Sequence, residues 1–329
     1  MQRRDFIIVL GGAAAAAWPL AARAQQPDRM RRIGVLMNLG ADDPEGQVRL
    51  KTFLQGLQTR GWIEGSNLRV DTCWGEGKAE RFRSCAAELI GLAPDVILAG
   101  SGAAMPALME ATHSLPIVFV QTVDPVGQGY VASLAKPEGN ATGFTQFELS
   151  IGGKWLELLK QIAPQLTRVV VLRDANVEGT AQFAAIQSAA PLFGVQVRPI
   201  NVRDPGEIER GVNLFAARPD GGLIVTASAN AAVHRDQIIA LVTRHKLPAI
   251  YPFRYFVTSG GMISYGPDPI EPYRRAAEYA HRILNGEKPG NLPVQAASKF
   301  ELVVNLKTAK ALGLSIPPTL VARADEVIE

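Results

Sequence analysis

The sequence predicts an α/β fold of two lobes, each a doubly wound parallel sheet. Three observations carry that expectation. Short apolar runs alternate with segments whose apolar residues recur at helical spacing. Several of the runs are apolar at every position, as strands covered on both faces are. The alternation also occurs twice, in two series of about four units each. Length agrees, because single hydrophobic cores stop growing near roughly 250–300 residues and the chain has 329.

In the first series, Arg32-Ile33-Gly34-Val35-Leu36-Met37 reads as a strand that ends in Asn38-Leu39-Gly40. Val48, Phe53, Leu54 and Leu57 recur on a helix that Gly61 stops. Leu68-Arg69-Val70 alternates like a strand with one wet face, and a helix over 79–92 is broken by Pro94-Asp95. The wholly apolar Val96-Ile97-Leu98-Ala99, a helix over 103–112 and strand Ile117-Val118-Phe119-Val120 complete this half. The segment from Asn140 to Thr145 reads as the first crossing to the second series. That series has strands at 169–172, 195–197, 223–225, 249–251 and 262–265, with helices over 178–192, 205–217, 230–245 and about 270–285.

The N-terminus reads as an address. Arg3-Arg4-Asp5-Phe6-Ile7 opens a weakly apolar run to Leu20, and Ala22-Arg23-Ala24 closes it. A basic start, a short apolar middle and an A-x-A end describe a secretory signal peptide over residues 1–24. The paired arginines suit the twin-arginine variety, which a receptor reads. The run from Ile7 to Leu20 is shorter than the roughly 20 residues a membrane helix needs, and no later run reaches that length. The mature chain is therefore expected from Gln25, soluble outside the cytoplasm and without a stable membrane anchor.

Composition narrows the class. A hydrophobic content of 47% with net charge +3 excludes a disordered chain and offers no electrostatic footprint for nucleic acid. Removing residues 1–24 takes away Arg3, Arg4, Arg23 and Asp5, which leaves 31 basic against 30 acidic residues. The two cysteines, Cys73 and Cys85, could pair in an oxidising compartment or remain as buried thiols. Sequence leaves both open, because the Cα separation decides.

In doubly wound sheets, ligands bind beyond the carboxyl ends of the strands. The residues just after the apolar runs are therefore the candidates: Asn38, Ser101, Gly102, Thr122, Asp124, Asp174, Ser228, Asn230, Tyr251 and Tyr265, with Leu39, Gln121, Asn176 and Phe253 beside them. The set supplies hydroxyls, amides, carboxylates and aromatics, with neither His nor Cys. A zwitterion suits it, with carboxylate at Ser101, Gly102 and Thr122, ammonium at Asp124, and side chain against Tyr251 or Tyr265. Gly100-Ser101-Gly102 has the start of a dinucleotide fingerprint, but Met105 holds the third glycine position and this is the third strand. His234-Arg235-Asp236 matches a kinase tripeptide, but Leu241 stands where that motif needs Asn. The remaining histidines are isolated, so no metal, no cofactor and no catalytic constellation is expected.

Several stretches resemble a family of substrate-binding proteins of ABC transporters. They are Thr122-Val123-Asp124-Pro125-Val126-Gly127, Pro137-Glu138-Gly139-Asn140-Ala141-Thr142-Gly143, Gly260-Gly261-Met262-Ile263-Ser264-Tyr265-Gly266 and Leu292-Pro293-Val294. The most specific is the end, Phe300-Glu301-Leu302-Val303-Val304-Asn305-Leu306-Lys307-Thr308-Ala309, then Leu312-Gly313-Leu314 and Arg323-Ala324-Asp325-Glu326-Val327-Ile328-Glu329. Two departures stand out: Glu138 replaces a usual Gly, and Ala296 a frequent Pro.

The resemblance implies a type I periplasmic-binding fold, two lobes joined by three crossing segments. Residues 25–145 plus about 266–292 would form one lobe, and 146–265 plus about 293–329 the other. It further implies a periplasmic monomer without catalysis that captures a small solute by hinge closure and delivers it to an inner-membrane permease. Some members bind aromatic amino acids, so an amino acid, with an aromatic one as an option, is the expected ligand. An exported sensory protein that presents ligand to a receptor is the alternative, and an exported cofactor-bearing enzyme a more distant one.

Overall fold

The computed structural model describes residues 30–329 apart from 147–149. The signal peptide expected over residues 1–24 lies outside the described residues. The first sheet is built from β1 (Arg31–Met37), β2 (Leu68–Trp74), β3 (Val96–Ala99), β4 (Ile117–Thr122) and β5 (Ala141–Thr145). They lie in the order β2-β1-β3-β4-β5, all parallel. Helices α1 (Pro44–Gln58), α2 (Ala79–Gly91) and α3 (Met105–Ala111) connect them.

Each helix follows from local chemistry. Asp43 caps α1 by accepting from the Glu45 N–H, with Pro44 at the first position. The buried face of α2 is Phe82, Cys85, Ala86 and Leu89, at helical spacing. The helix expected over 103–112 is shorter, because a 3₁₀ turn over Gly102–Ala104 precedes it.

The second sheet has seven strands. After α4 (Ile151–Ile162) come β6 (Arg168–Arg173), α5 (Val177–Ala189), β7 (Gln196–Asn201), α6 (Pro205–Ala216) and β8 (Gly221–Val225). Then follow α7 (Ala229–Val233), α8 (Arg235–Arg244), β9 (Ala249–Tyr251), α9 (Arg254–Thr258) and β10 (Ile263–Pro267). The chain returns to the first sheet for α10 (Glu271–Leu284). It ends in the second lobe with β11 (Phe300–Asn305), α11 (Leu306–Leu312), α12 (Pro318–Val321) and β12 (Glu326–Ile328). The order is β12-β11-β10-β9-β8-β6-β7. One pair, β10 with β11, is antiparallel; between these two strands the chain visits the first lobe as α10 and returns through residues 285–299.

Both faces of the first sheet are covered. Phe53, Leu57, Tyr273 and Tyr279 of α1 and α10 pack one face, and Phe82, Cys85, Leu89 and Leu108 of α2 and α3 pack the other. A single core of aliphatic and aromatic residues fills the second lobe around Trp155, Val171 and Ile224. Leu39 and Val123, from the ends of β1 and β4, belong to this second core, so the lobes are packed together where the strands end.

The chain passes between the lobes three times. The first passage follows β5. The stretch 141–145, read from sequence as the crossing itself, is instead the edge strand of the first sheet. Gly143 misleads there: its φ is +154°, and a Cβ would lie 1.9 Å from the Phe119 carbonyl, so glycine marks a close backbone approach inside a strand. The second passage runs from β10 into α10 and the third joins Gln295 to β11. Gln295 ties this hinge by donating to the Gly143 carbonyl and accepting from the Thr145 N–H. Cys73 of β2 and Cys85 of α2 form a disulfide with Cα atoms 5.6 Å apart.

Candidate functional site

The carboxyl ends of β1, β3 and β4 face those of β6, β8 and β9 across the interlobe cleft. A small cavity of about 30 Å³ is closed between them. An outer chamber of about 480 Å³ adjoins it and shares Gly102, Asp174, Asn176 and Glu178 with it.

From the first lobe, β1 ends on Asn38 and β3 on Ser101-Gly102, all buried. The Asn38 Oδ1 and Ser101 Oγ atoms are buried without a hydrogen-bond partner. β4 breaks its register with β5 between Phe119 and Thr122, and Gln121 takes a left-handed φ of +55°. Such irregularities re-aim side chains at the end of a strand. Here Gln121 accepts from the Arg49 guanidinium at 3.0 Å and donates to the Pro269 carbonyl at 3.0 Å, which joins α1 to the second crossing. Gln146, just past β5, is 3% exposed and its Nε2 has no partner.

From the second lobe, Asp174 ends β6 and accepts from the Asn230 amide at 2.7 Å. Gln182 holds the end of β8 by a reciprocal pair with the Ala227 backbone, both bonds 3.1 Å. Ser228 caps α7, accepting from the Ala231 N–H. Phe253 and Tyr255 stack at 5.3 Å on the far wall.

Glu178, in the first turn of α5, crosses the cleft. Its Oε1 accepts from the Val123 N–H and from the Gln128 side chain, each at 3.0 Å. A Cβ on residue 102 would lie 2.3 Å from that oxygen, so Gly102 is what permits the approach. Burial raises the Glu178 carboxyl to about 7, helped by Asp174 and Asp124 and opposed by the two N–H donors. A second interlobe contact pairs Arg235 with Asp43 at 2.6 Å.

Asn38, Ser101, Gly102, Asp174 and Ser228 thus line the inner cavity, and Asn230 lines the outer chamber. The other four sequence candidates lie elsewhere. Thr122 is fully buried behind the strand end, outside the lining. Asp124 is exposed, and its Oδ1 accepts from the Gly127 N–H at 2.9 Å to cap its own turn. Tyr251 is fully buried and stacks on Phe256 at 5.1 Å. Tyr265 stacks on Phe300, and its carbonyl accepts from the Trp155 indole.

Sequence reasoning passed over Arg49, Gln146, Glu178 and Tyr255. A signal existed for Arg49, since it stands in register with Gly46, Phe53 and Leu57 on the buried face of α1. A cation within an apolar stripe needs partners. Among the described residues, no group of three or more His, Cys, Asp or Glu side chains could hold a metal ion. No helix among them is long and apolar enough to cross a membrane.

The family model described as ABC transporter substrate binding protein matches residues 38–328. The chain belongs to that family. A tyrosine-binding protein of Clostridioides difficile is 27% identical over 80% of this substrate-binding protein and 76% of its own length. A conserved domain protein of Vibrio cholerae superposes with a TM-score of 0.85 at 26% identity, over 91% of this chain and all of that one. The domain from Streptococcus pneumonia in complex with L-Trp gives 0.83 at 24%, over 91% and 99%. The ligand-free, open structure of a Clostridium difficile substrate-binding protein with adhesive properties gives 0.64 at 26%, over 91% and 99%. The fold is therefore the periplasmic-binding-protein fold, and membership implies a small-molecule ligand and a permease partner.

Proposed function

We propose that this protein captures an amino acid between its lobes by hinge closure and delivers it to the permease of an ABC importer. One observation carries the reading. The inner cavity is lined by four residues, Asn38, Arg49, Ser101 and Gln146, that each hold a buried polar atom without a partner. Such atoms are costly unless something completes their hydrogen bonds. Asp174 and Glu178 line the same cavity, so donors and acids face one bound molecule, as a zwitterion requires.

Size supports an outward-pointing side chain. About 30 Å³ accommodates a polar head group at most. The outer chamber has room for a ring, with Phe82, Pro106, Ala107 and Tyr130 on its walls. The tyrosine-binding relative makes aromatic amino acids the first ligands to try. Closure is supported by the higher TM-score to the L-Trp complex than to the open form, 0.83 against 0.64, at nearly equal identity.

Export by the twin-arginine route belongs to the same reading. It is supported by Arg3-Arg4 in the sequence and by the Cys73–Cys85 disulfide, which suits an oxidising compartment. Replacing both arginines by lysine is expected to leave the precursor inside the cell. Calorimetry against a panel of amino acids tests the ligand, and tyrosine or tryptophan is expected to bind with Kd near about 1 μM or below. Silence from every amino acid, alongside tight binding of another solute, would remove the amino-acid reading and leave the family role intact.

A further inference from the structure

Arg49 lies inside a helix, away from the strand ends where ligands of this architecture are sought. It is 1% exposed, and among the described residues no other Lys or Arg is buried. Taking a guanidinium out of water costs several kcal/mol unless its hydrogen bonds are replaced. Two of its three nitrogens are provided for: Nε pairs with Glu45 and Nη1 with Gln121, each at 3.0 Å. Its Cζ lies over the rings of Tyr255 and Tyr273, 5.4 and 5.8 Å from their centroids. The third nitrogen, Nη2, is buried without a partner.

That arrangement is a positioned donor with its acceptor missing. Gln146 presents a second buried, partnerless donor, Nε2, to the same cavity. Arg49 is also the sole cation on the cavity's lining, whose other charged groups are the carboxyls of Asp174 and Glu178. An acceptor group of the ligand is therefore drawn to Arg49 and a cationic group away from it. A guanidinium nitrogen beside an amide nitrogen matches the two oxygens of a carboxylate.

We propose that Arg49 is the specificity-determining residue that reads the ligand's α-carboxylate, through Nη2 and together with Gln146 Nε2. The assignment rests on the amino-acid reading above. It departs from the sequence expectation, which gave the carboxylate to Ser101, Gly102 and Thr122. The inner cavity would then discriminate amino acids from their amides and from decarboxylated amines, whatever side chain occupies the outer chamber.

The test is calorimetry with L-tyrosine, L-tryptophan and their amides, on the wild type and on Arg49→Gln. A charge-assisted hydrogen bond is worth about a 10- to 100-fold change in affinity. The wild type is expected to prefer each acid over its amide by that factor or more, and Arg49→Gln to bring the ratio within about threefold. An unchanged ratio in folded Arg49→Gln overturns the proposal while the amino-acid reading stands. Absence of binding by any amino acid in the wild type removes both. Should Arg49→Gln fail to fold, Gln146→Leu removes the neighbouring donor without touching the Glu45 pair. A ratio that falls about tenfold there supports the assignment, and an unchanged one overturns it.

Discussion

Glu178 of the second lobe accepts a hydrogen bond from the Val123 N–H of the first at 3.0 Å, with Gln128 as its second donor. The latch is made by a carboxyl that burial has raised from 4.5 to about 7. Opening the cleft returns it to water, so the closed form holds its proton more firmly than the open or unfolded form. The resulting stabilisation is fully present below about pH 4.5 and is lost as pH rises through about 7. It amounts to about 3 kcal/mol. Urea unfolding of the ligand-free protein between pH 4.5 and 8 should show that loss. Glu178→Gln keeps an oxygen for the Val123 N–H and should flatten the profile while raising stability at pH 8. A slope that persists in the variant would assign the titration to another group.

Arg235 and Asp43 form the other latch. Their side chains are only 15% and 13% exposed, so the pair is screened less than a surface ion pair. Asp43 also caps α1, which makes Arg235 the cleaner site to alter. Arg235→Ala is expected to favour the open form and weaken ligand binding by about 5- to 10-fold, with the cost near about 1 kcal/mol. Small-angle scattering without ligand should record a larger radius of gyration for the variant. An identical radius together with unchanged affinity would mean that the pair does not bias closure.

The strand-end rule leads to Asn38, Ser101, Gly102, Asp174 and Ser228 on the cavity lining, because in this architecture position along a strand is nearly position in the cleft. It leads away from the lining where local geometry intervenes. Asp124 follows β4 by two residues, yet the left-handed turns at Gln121 and at Asp124 itself carry it to the surface. Tyr251 belongs to a three-residue strand buried on both faces, and nothing in its neighbours tells a core phenol from a lining one. Gln146 was hidden because residues 140–145 read as a connection, whereas 141–145 form strand β5. Arg49 and Glu178 sit on helices, where reach across the cleft depends on how two lobes pack. The antiparallel β11 escaped for a related reason: the chain visits the first lobe between β10 and β11, and a strand's direction is not written in its own pattern of residues.

The disulfide joins the edge strand β2 to the helix that covers it. Cys73 and Cys85 are 12 positions apart, and closing a loop of that size restrains the unfolded chain by about 3 kcal/mol. The double variant Cys73→Ser, Cys85→Ser is expected to lose about 2–3 kcal/mol in urea unfolding, and dithiothreitol to produce a similar loss in the wild type but none in the variant. Equal midpoints with and without reductant in the wild type would show that the bond adds nothing to stability.

Glu138 departs from the family pattern that the sequence resembles. The resemblance leads one to expect glycine there, and the backbone suits glycine: φ is +61°, in the left-handed region. A side chain in that conformation costs about 1 kcal/mol. The exposed Glu138 carboxylate returns little, since it lies 3.9 Å from Lys136 with both side chains largely in solvent. Glu138→Gly removes the strain but adds freedom to the unfolded chain, which leaves an expected gain of about 0.5 kcal/mol. Glu138→Ala keeps the Cβ and the strain, and should gain nothing. A shift of the urea midpoint upward in the glycine variant alone, at unchanged m, would tie the effect to backbone conformation. Equal shifts in both variants would tie it instead to the lost carboxylate.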